Sequence, residues 1–220
     1  GRRAGRWLLE NTRDRSGDIR IVELQGTVGS APANDRKRGF EEVIAAEPRY
    51  RIVRSQTGDF TRAKGKEVME AILKAEDRRI DVLFAHNDDM AIGAIQAIEE
   101  AGLKPGKDIL IVSIDAVKGA FEAMMAGKLN VSVECSPLLG PQLMDLVKKV
   151  HAGEEVPTRV ETEETTFNQE QAIEALQIGL DRSGRKLTDI DRPQLVVCSV
   201  HEDRETALDM ARLMVTQYLG

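Results

Sequence analysis

Candidate ligand residues follow strand-like runs at five places in this chain. Ile80 and then Val82 to Ala85 lead into His86, Asn87, Asp88 and Asp89. A helical pattern follows, with Met90, Ala91, Ala94, Ile95 and Ile98 on one stripe and Gly102 as its stop. Ile109 to Ile114 leads into Asp115, and Ile19 to Leu24 leads into Gln25 and Gly26, with Asn34, Asp35 and Arg36 at the start of the next helix. Asp59 and Phe60 follow the run from Tyr50 to Arg54, and Glu134 and Cys135 close the run that begins at Leu129. Carboxylates and amides with one guanidinium and one aromatic ring suit a neutral polyol. A sugar hydroxyl donates and accepts at once, so a carboxylate accepts from it, Arg donates to it, and Asn does both in one plane. An aromatic face packs on the apolar C–H side of a sugar ring. Any single Asp or Asn here has an ordinary alternative as a helix cap or turn residue. Asn87 and Asp115 together, each behind an apolar run, favour a ligand.

Other chemistries fit less well. The run GDFTRAKGKE (Gly58 to Glu67) is faintly like a phosphate loop, but its glycines are too far apart and Glu67 stands where a magnesium-binding hydroxyl is needed. No G-x-G-x-x-G follows the first apolar run, which argues against a dinucleotide, and no G-x-S-x-G supplies a nucleophile elbow. His86 beside Asp88 and Asp89 suggests a metal, yet adjacent residues on a strand diverge and no second His stands at ligand spacing. Asp115 as a phospho-acceptor would need acidic residues clustered at the first strand, which ends Glu23-Leu24-Gln25. No enzyme, cofactor or metal is expected.

The elements that must position these residues alternate strand and helix. Residues 2–12 read as a short amphipathic helix with Trp7, Leu8 and Leu9 apolar. Strands are predicted at Ile19 to Leu24, Tyr50 to Arg54, Val82 to Ala85, Ile109 to Ile114, Leu129 to Glu134 and Arg159 to Thr166. Between them, helices carry Phe40, Val43 and Ile44 (starting at Asn34 or Asp35), then Val68, Met69, Ile72 and Leu73, then the opening stripe, then Phe121, Met124 and Met125, and last Leu139, Leu143, Leu146, Val147 and Val150 over Pro137 to His151. This alternation predicts an α/β fold: an open, mainly parallel sheet with helices on both faces. Right-handed crossovers then place the strands' carboxyl ends on one rim, where open α/β sheets hold ligands. Residues 177–193 read as a polar linker with Ser183, Gly184 and Pro193, and 194–220 as a further strand and helix.

Charge and cysteine content narrow the partners. A net charge of −6 argues against nucleic acid, whose phosphates need a basic patch. Cys135 and Cys198 lie in separate predicted strands, which makes neither a metal site nor a disulfide framework. No apolar run reaches membrane-spanning length.

Four blocks, ELQGTVGSAPANDRKRGF, RSQTGDFTRAKGKEVMEA, FAHNDDMAIGAIQAIEEAGLKPGKDILIVSIDA and MMAGKLNVSVECSP, resemble the periplasmic sugar-binding proteins of ABC transporters. The ribose/galactose-binding class fits, and its galactofuranose-binding type fits best, over about residues 1–175. The resemblance implies the type I periplasmic binding fold, in which two α/β lobes close on a monosaccharide by hinge bending. It implies a periplasmic location and an ABC permease as partner. Carried over by motif, the sugar ligands fall on Arg36 in NDRKRGF, Phe60 in GDF, Asn87 in HNDD and Asp115 in SIDA, with a further contact near Glu134 or Cys135. The ribose binders carry Gln at the Cys135 position. By the same resemblance residues 1–176 are a second lobe, the chain lacks most of the first lobe, and its helices at 2–12 and 137–151 belong against that lobe. Trp7, Leu8, Leu9, Leu139, Leu143 and Leu146 are then expected to be exposed and to invite self-association. A half-cleft is expected to bind sugar weakly or not at all. Two alternatives remain: an isolated or engineered lobe with a structural role, and the effector domain of a lactose-repressor-type regulator, which needs a helix-turn-helix that this chain does not contain.

Overall fold

The computed structural model describes residues 1–175. They fall into two units, which are taken separately. The first comprises Gly1–Ser136 and, from Pro157 on, the rest of the described chain; the second is Pro137–Val156.

In the first unit, helix α1 (Arg2–Asn11) precedes strand β1 (Ile19–Gln25), and then α2 (Ala31–Ile44), β2 (Tyr50–Thr57), α3 (Arg62–Ala75), β3 (Val82–Ala85), α4 (Asp88–Glu100), β4 (Leu110–Asp115), α5 (Lys118–Met125) and β5 (Val131–Glu134) alternate. One six-stranded sheet runs β2-β1-β3-β4-β5 and ends on a short strand, Thr166–Asn168. All pairs are parallel except the last, which is antiparallel. This is the expected open, mainly parallel α/β sheet.

Alternation along the strands sorts two cores. Val22, Leu24, Leu83, Ala85 and Ile111 face α3, α4 and α5, whereas Ile19, Ile21, Val82, Phe84, Leu110, Val112 and Ile114 face α1 and α2. Side chains from both faces fill the central strands, which is why these runs are nearly all Val, Ile and Leu. On the second face the Phe40 and Phe84 rings stack 4.0 Å apart.

Several expectations need correction. The helix α1 is not an orphan: Ala4 and Leu8 are fully buried, and they pack in the core that holds Phe40, Phe84 and Val131. Trp7 and Leu9 are half-buried against the same core. A small-residue stripe, Ala4 and Gly5, lets α1 lie close on α2; a Cβ at Gly5 would sit 2.9 Å from the Val43 Cβ. The start of α2 lies at Ala31, ahead of the predicted Asn34, because the Ser30 hydroxyl accepts the Ala33 N–H and Pro32 suits a first turn. Strand β2 continues through Ser55, Gln56 and Thr57, read from sequence as loop, because its backbone pairs with β1 as far as Gln25 although its own side chains are exposed. The alternating stretch from Arg159 forms a strand, β6, only at Thr166–Asn168. Only Val131, Ser132 and Val133 of β5 are there to pair with it.

The second unit is essentially helix α6 (Gly140–His151), which starts three residues later than predicted from Pro137, with Pro141 in its first turn and Lys148, Lys149 and His151 in its last. The two lysines complement the carbonyl end of the helix dipole. Its apolar stripe is exposed at Leu139, Leu143, Met144, Val147 and Val150 and half-buried at Leu146. The expected exposed apolar patch therefore reduces to this helix. The predicted linker at 177–193, the strand and helix at 194–220, and Cys198 lie outside the described residues.

Candidate functional site

The parallel register brings the carboxyl ends of β1 to β5 to one rim of the first unit. Arg36, Phe60, Asn87, Asp115 and Cys135 meet there. Arg36 reaches in from the second turn of α2: its Nη2 donates to Asp115 Oδ1 at 2.8 Å, its Nη1 donates to the His86 carbonyl, and its guanidinium lies 5.6 Å from the centre of the Phe60 ring. The Arg36 and Asp115 side chains are 14% and 27% exposed, so both ends of this pair reach the surface at the rim. Burial pushes the Asp115 carboxyl up from its ordinary value, with Arg36 opposing.

Phe60 is held on three sides. Its ring covers Gly26, where any Cβ would lie 1.9 Å from the ring. Its carbonyl accepts the Asn87 side-chain amide at 3.1 Å. Its own loop is tied down by Thr57, whose hydroxyl donates to the Gly26 carbonyl at 2.9 Å and accepts the Asp59 N–H at 3.2 Å. Asp59 and Phe60 have φ of 54° and 58°, and Asp115 and Ala116 have 126° and 59°. Left-handed backbone in such residues costs on the order of 1–3 kcal/mol each and concentrates at ligand sites. A third such pair, Asp77 and Arg78 with φ of 50° and 59°, lies in the turn after α3; each of the two pairs at the rim includes a residue singled out from sequence.

Asn87 does two jobs: while its Nδ2 holds Phe60, its Oδ1 accepts the Met90 N–H at 3.0 Å and caps α4. The ordinary cap reading is therefore correct as well. Cys135 closes the rim, with its N–H donating to the Asp115 carbonyl at 3.4 Å; burial raises its thiol, with Arg36 opposing. Glu134 turns aside, its carboxylate accepting the Thr165 N–H at 2.9 Å beside β6. Other rim candidates are engaged elsewhere: Asn34 bonds to the Gly29 carbonyl, Asp35 pairs with Arg38, and Asp89 pairs with Arg62 at 2.6 Å. Asp88 points inward and is fully buried.

A buried cluster beneath the Phe60 side was not anticipated. His86 accepts the Gly26 N–H on Nδ1 at 3.2 Å, which leaves Nε2 protonated to donate to Glu23 Oε1 at 3.1 Å. Both ring nitrogens thus serve protein partners, and burial lowers the His86 pKa against the pull of Glu23. Lys37 Nζ donates to Glu23 Oε2 at 2.8 Å, and Ser55 donates to the same oxygen. Burial pushes the Glu23 carboxyl up, but hydrogen bonds from His86, Lys37 and Ser55 outweigh it and hold the pKa at about 2. The available signal was a Glu inside an apolar strand, where an acid needs partners.

In doubly wound α/β sheets ligands sit at the carboxyl ends of the strands, where these polar side chains converge. The chain belongs to the family of the periplasmic binding protein domain, matched over residues 1–155. It is 48% identical over 169 residues to the galactofuranose-binding protein YtfQ of Escherichia coli (strain K12), a match that takes in 76% of this chain and 52% of that protein. It therefore spans about half the length of that relative. A Mycobacterium smegmatis protein solved in complex with β-D-fucofuranose is 51% identical, with a TM-score of 0.76 over 88% of this chain and 63% of that one. The periplasmic binding protein component of the arabinose ABC transporter from Shewanella sp. ANA-3, bound to α- and β-L-arabinofuranose, is 45% identical, with a TM-score of 0.77 over the same shares, 88% and 63%.

Proposed function

We propose that this chain supplies one wall of the monosaccharide site of an ABC-transporter solute-binding protein, that it works in the periplasm, and that the complete protein hands its sugar to a membrane permease. The sugar is a furanose, as are the sugars bound by relatives at 45–51% identity. The observation that carries the reading is the convergence of Arg36, Asp115, Phe60 and Asn87 at one rim, since a cation, an acid and an aromatic face are what a sugar ring engages. No proton transfer or covalent step is assigned to these groups; the role is binding. Closed sites bury most of a small ligand, so one wall leaves most hydroxyls on water and binds weakly.

The test is a nitrogen-15 NMR titration of this chain with methyl galactofuranoside and methyl arabinofuranoside, with methyl galactopyranoside as the comparison. Weak, saturable shifts at Gly26, Phe60, Asn87 and Ala116, larger for the furanosides, are expected. Shifts scattered over the surface, or none up to the solubility limit of the sugars, would remove the sugar reading. Micromolar or tighter affinity by calorimetry would instead refute the weak-binding part.

A further inference from the structure

Asp88 is a completely buried carboxylate in the first turn of α4, and its helix does not need it, because Asn87 already caps α4. Its Oδ1 accepts the hydroxyls of Ser113 in β4 and Ser132 in β5, the latter at 2.8 Å, and its Oδ2 accepts the Val117 N–H at 2.9 Å. Ser132 Oγ also accepts the Ala116 N–H, at 3.0 Å. The single Ser132 proton is therefore committed to Asp88. Two consecutive N–H groups of one turn hang on one carboxylate, Val117 directly and Ala116 through a hydroxyl. That turn carries the left-handed Asp115 and Ala116, and Asp115 is the group that orients Arg36. An L residue leaves this conformation unless its surroundings hold it there; here Ser132 and Asp88 hold the Ala116 and Val117 amides, and the Cys135 N–H holds the Asp115 carbonyl. Burial pushes the Asp88 carboxyl up to about 7 against its three donors, so the chain keeps an acid at this position under a standing penalty.

We propose that Asp88 is a positioning residue: with Ser132 as relay it fixes the Asp115–Ala116 turn, and so aims the Asp115 carboxylate and its Arg36 partner at the ligand. The identity of that ligand rests on the sugar reading above; the relay does not.

Two variants of the whole chain separate the relay from packing. Ser132→Thr and Ser132→Val add the same bulk and differ only in hydroxyl against methyl. Three readouts apply: hydrogen exchange of the Ala116 amide, carbon-13 titration of the Asp115 carboxyl, and shift titration with methyl galactofuranoside. Ser132→Thr is expected to keep Ala116 protection, the Asp115 titration and the apparent affinity. Ser132→Val is expected to lose Ala116 protection, shift the Asp115 titration and weaken the furanoside by about tenfold, as for a buried donor left without its acceptor. The furanoside shifts at Gly26 and Phe60 should persist in both. Equal Ala116 exchange and equal Asp115 titration in the two variants would overturn the proposal. Where the added bulk unfolds both, Ser132→Ala removes the hydroxyl without it and is held to the same outcome as Val. A wild-type chain that no sugar perturbs defeats the sugar reading alone, because Ala116 exchange and Asp115 titration still decide the relay.

Discussion

Two carboxylates with no exposed surface support the two halves of this rim, and they are built on opposite terms. Glu23, beneath Gly26 and Phe60, has a lysine, a histidine N–H and a hydroxyl around it and stays charged far into acid. Asp88, beneath Asp115, has donors only, and a second carboxylate nearby raises it further. A buried charge is tolerated when a counter-charge and hydrogen bonds surround it, and it drifts toward neutrality when only dipoles do. The Phe60 half therefore stands on a fixed charge, and the Asp115 half on one that is close to being titrated.

The largest expected effect comes from deleting the weaker support. Asp88→Ala leaves Ser113, Ser132 and Val117 without their acceptor, and a loss of about 3 kcal/mol is expected in urea denaturation. A loss below about 1 kcal/mol would mean that water or a rearranged turn takes over, and the contrast between the clusters would be weaker than drawn. Next come the two isosteric neutralisations. Glu23→Gln turns an N–H toward His86, Lys37 or Ser55, all donors, and should cost about 2 kcal/mol; Asp88→Asn, replacing a group already near its pKa, should cost about 1 kcal/mol. The reverse order would break the comparison. Gly26→Ala falls between these two neutralisations. Its methyl collides with the Phe60 ring, so about 1–2 kcal/mol and a displaced Phe60 resonance are expected, without change at Ala116.

The smallest effect is a difference in pH dependence. The folded pKa of Asp88 lies above the unfolded one, so the native chain holds a proton that the unfolded chain releases, and this group's contribution falls as pH rises from about 4 to about 7. Glu23 has its folded pKa below the unfolded one, so its contribution is present above about pH 4.5 and is lost as pH falls toward about 2. His86, held neutral, adds to the acid-side loss, beginning below the ordinary histidine value. Urea midpoints against pH should show Asp88→Asn flattening the upper window relative to wild type, and Glu23→Gln flattening the lower one.

Much of this could be read from residues alone, for a physical reason. Strands filled from both faces must be apolar throughout, so β3 and β4 announce themselves, and polar residues at their ends mark the rim. Arg36, Phe60, Asn87 and Asp115 follow from that pattern and from the family resemblance, and the structure brings them together. What stayed hidden depends on partners far away in sequence. Whether α1 packs on this sheet is decided by Phe40 and Val131, not by its own stripe. Ser55 to Thr57 are strand because β1 pairs with them, whatever their side chains. That Gly26 and Glu23 occupy both nitrogens of His86 shows in no local spacing, and Asp88 reads as one more rim acid until Ser113 and Ser132 turn it inward.

Asn87 joins cap and clamp in a single amide, with the acceptor turned to Met90 and the donor to Phe60. The duties are chemically separable. Aspartate in its place preserves the acceptor and deletes the donor, so the helix would begin as before while the Phe60 carbonyl lost its partner. In a natural sequence with Asp at this point, α4 would be intact, and the Phe60 loop would rest on the Thr57 tie and the ring's seat on Gly26.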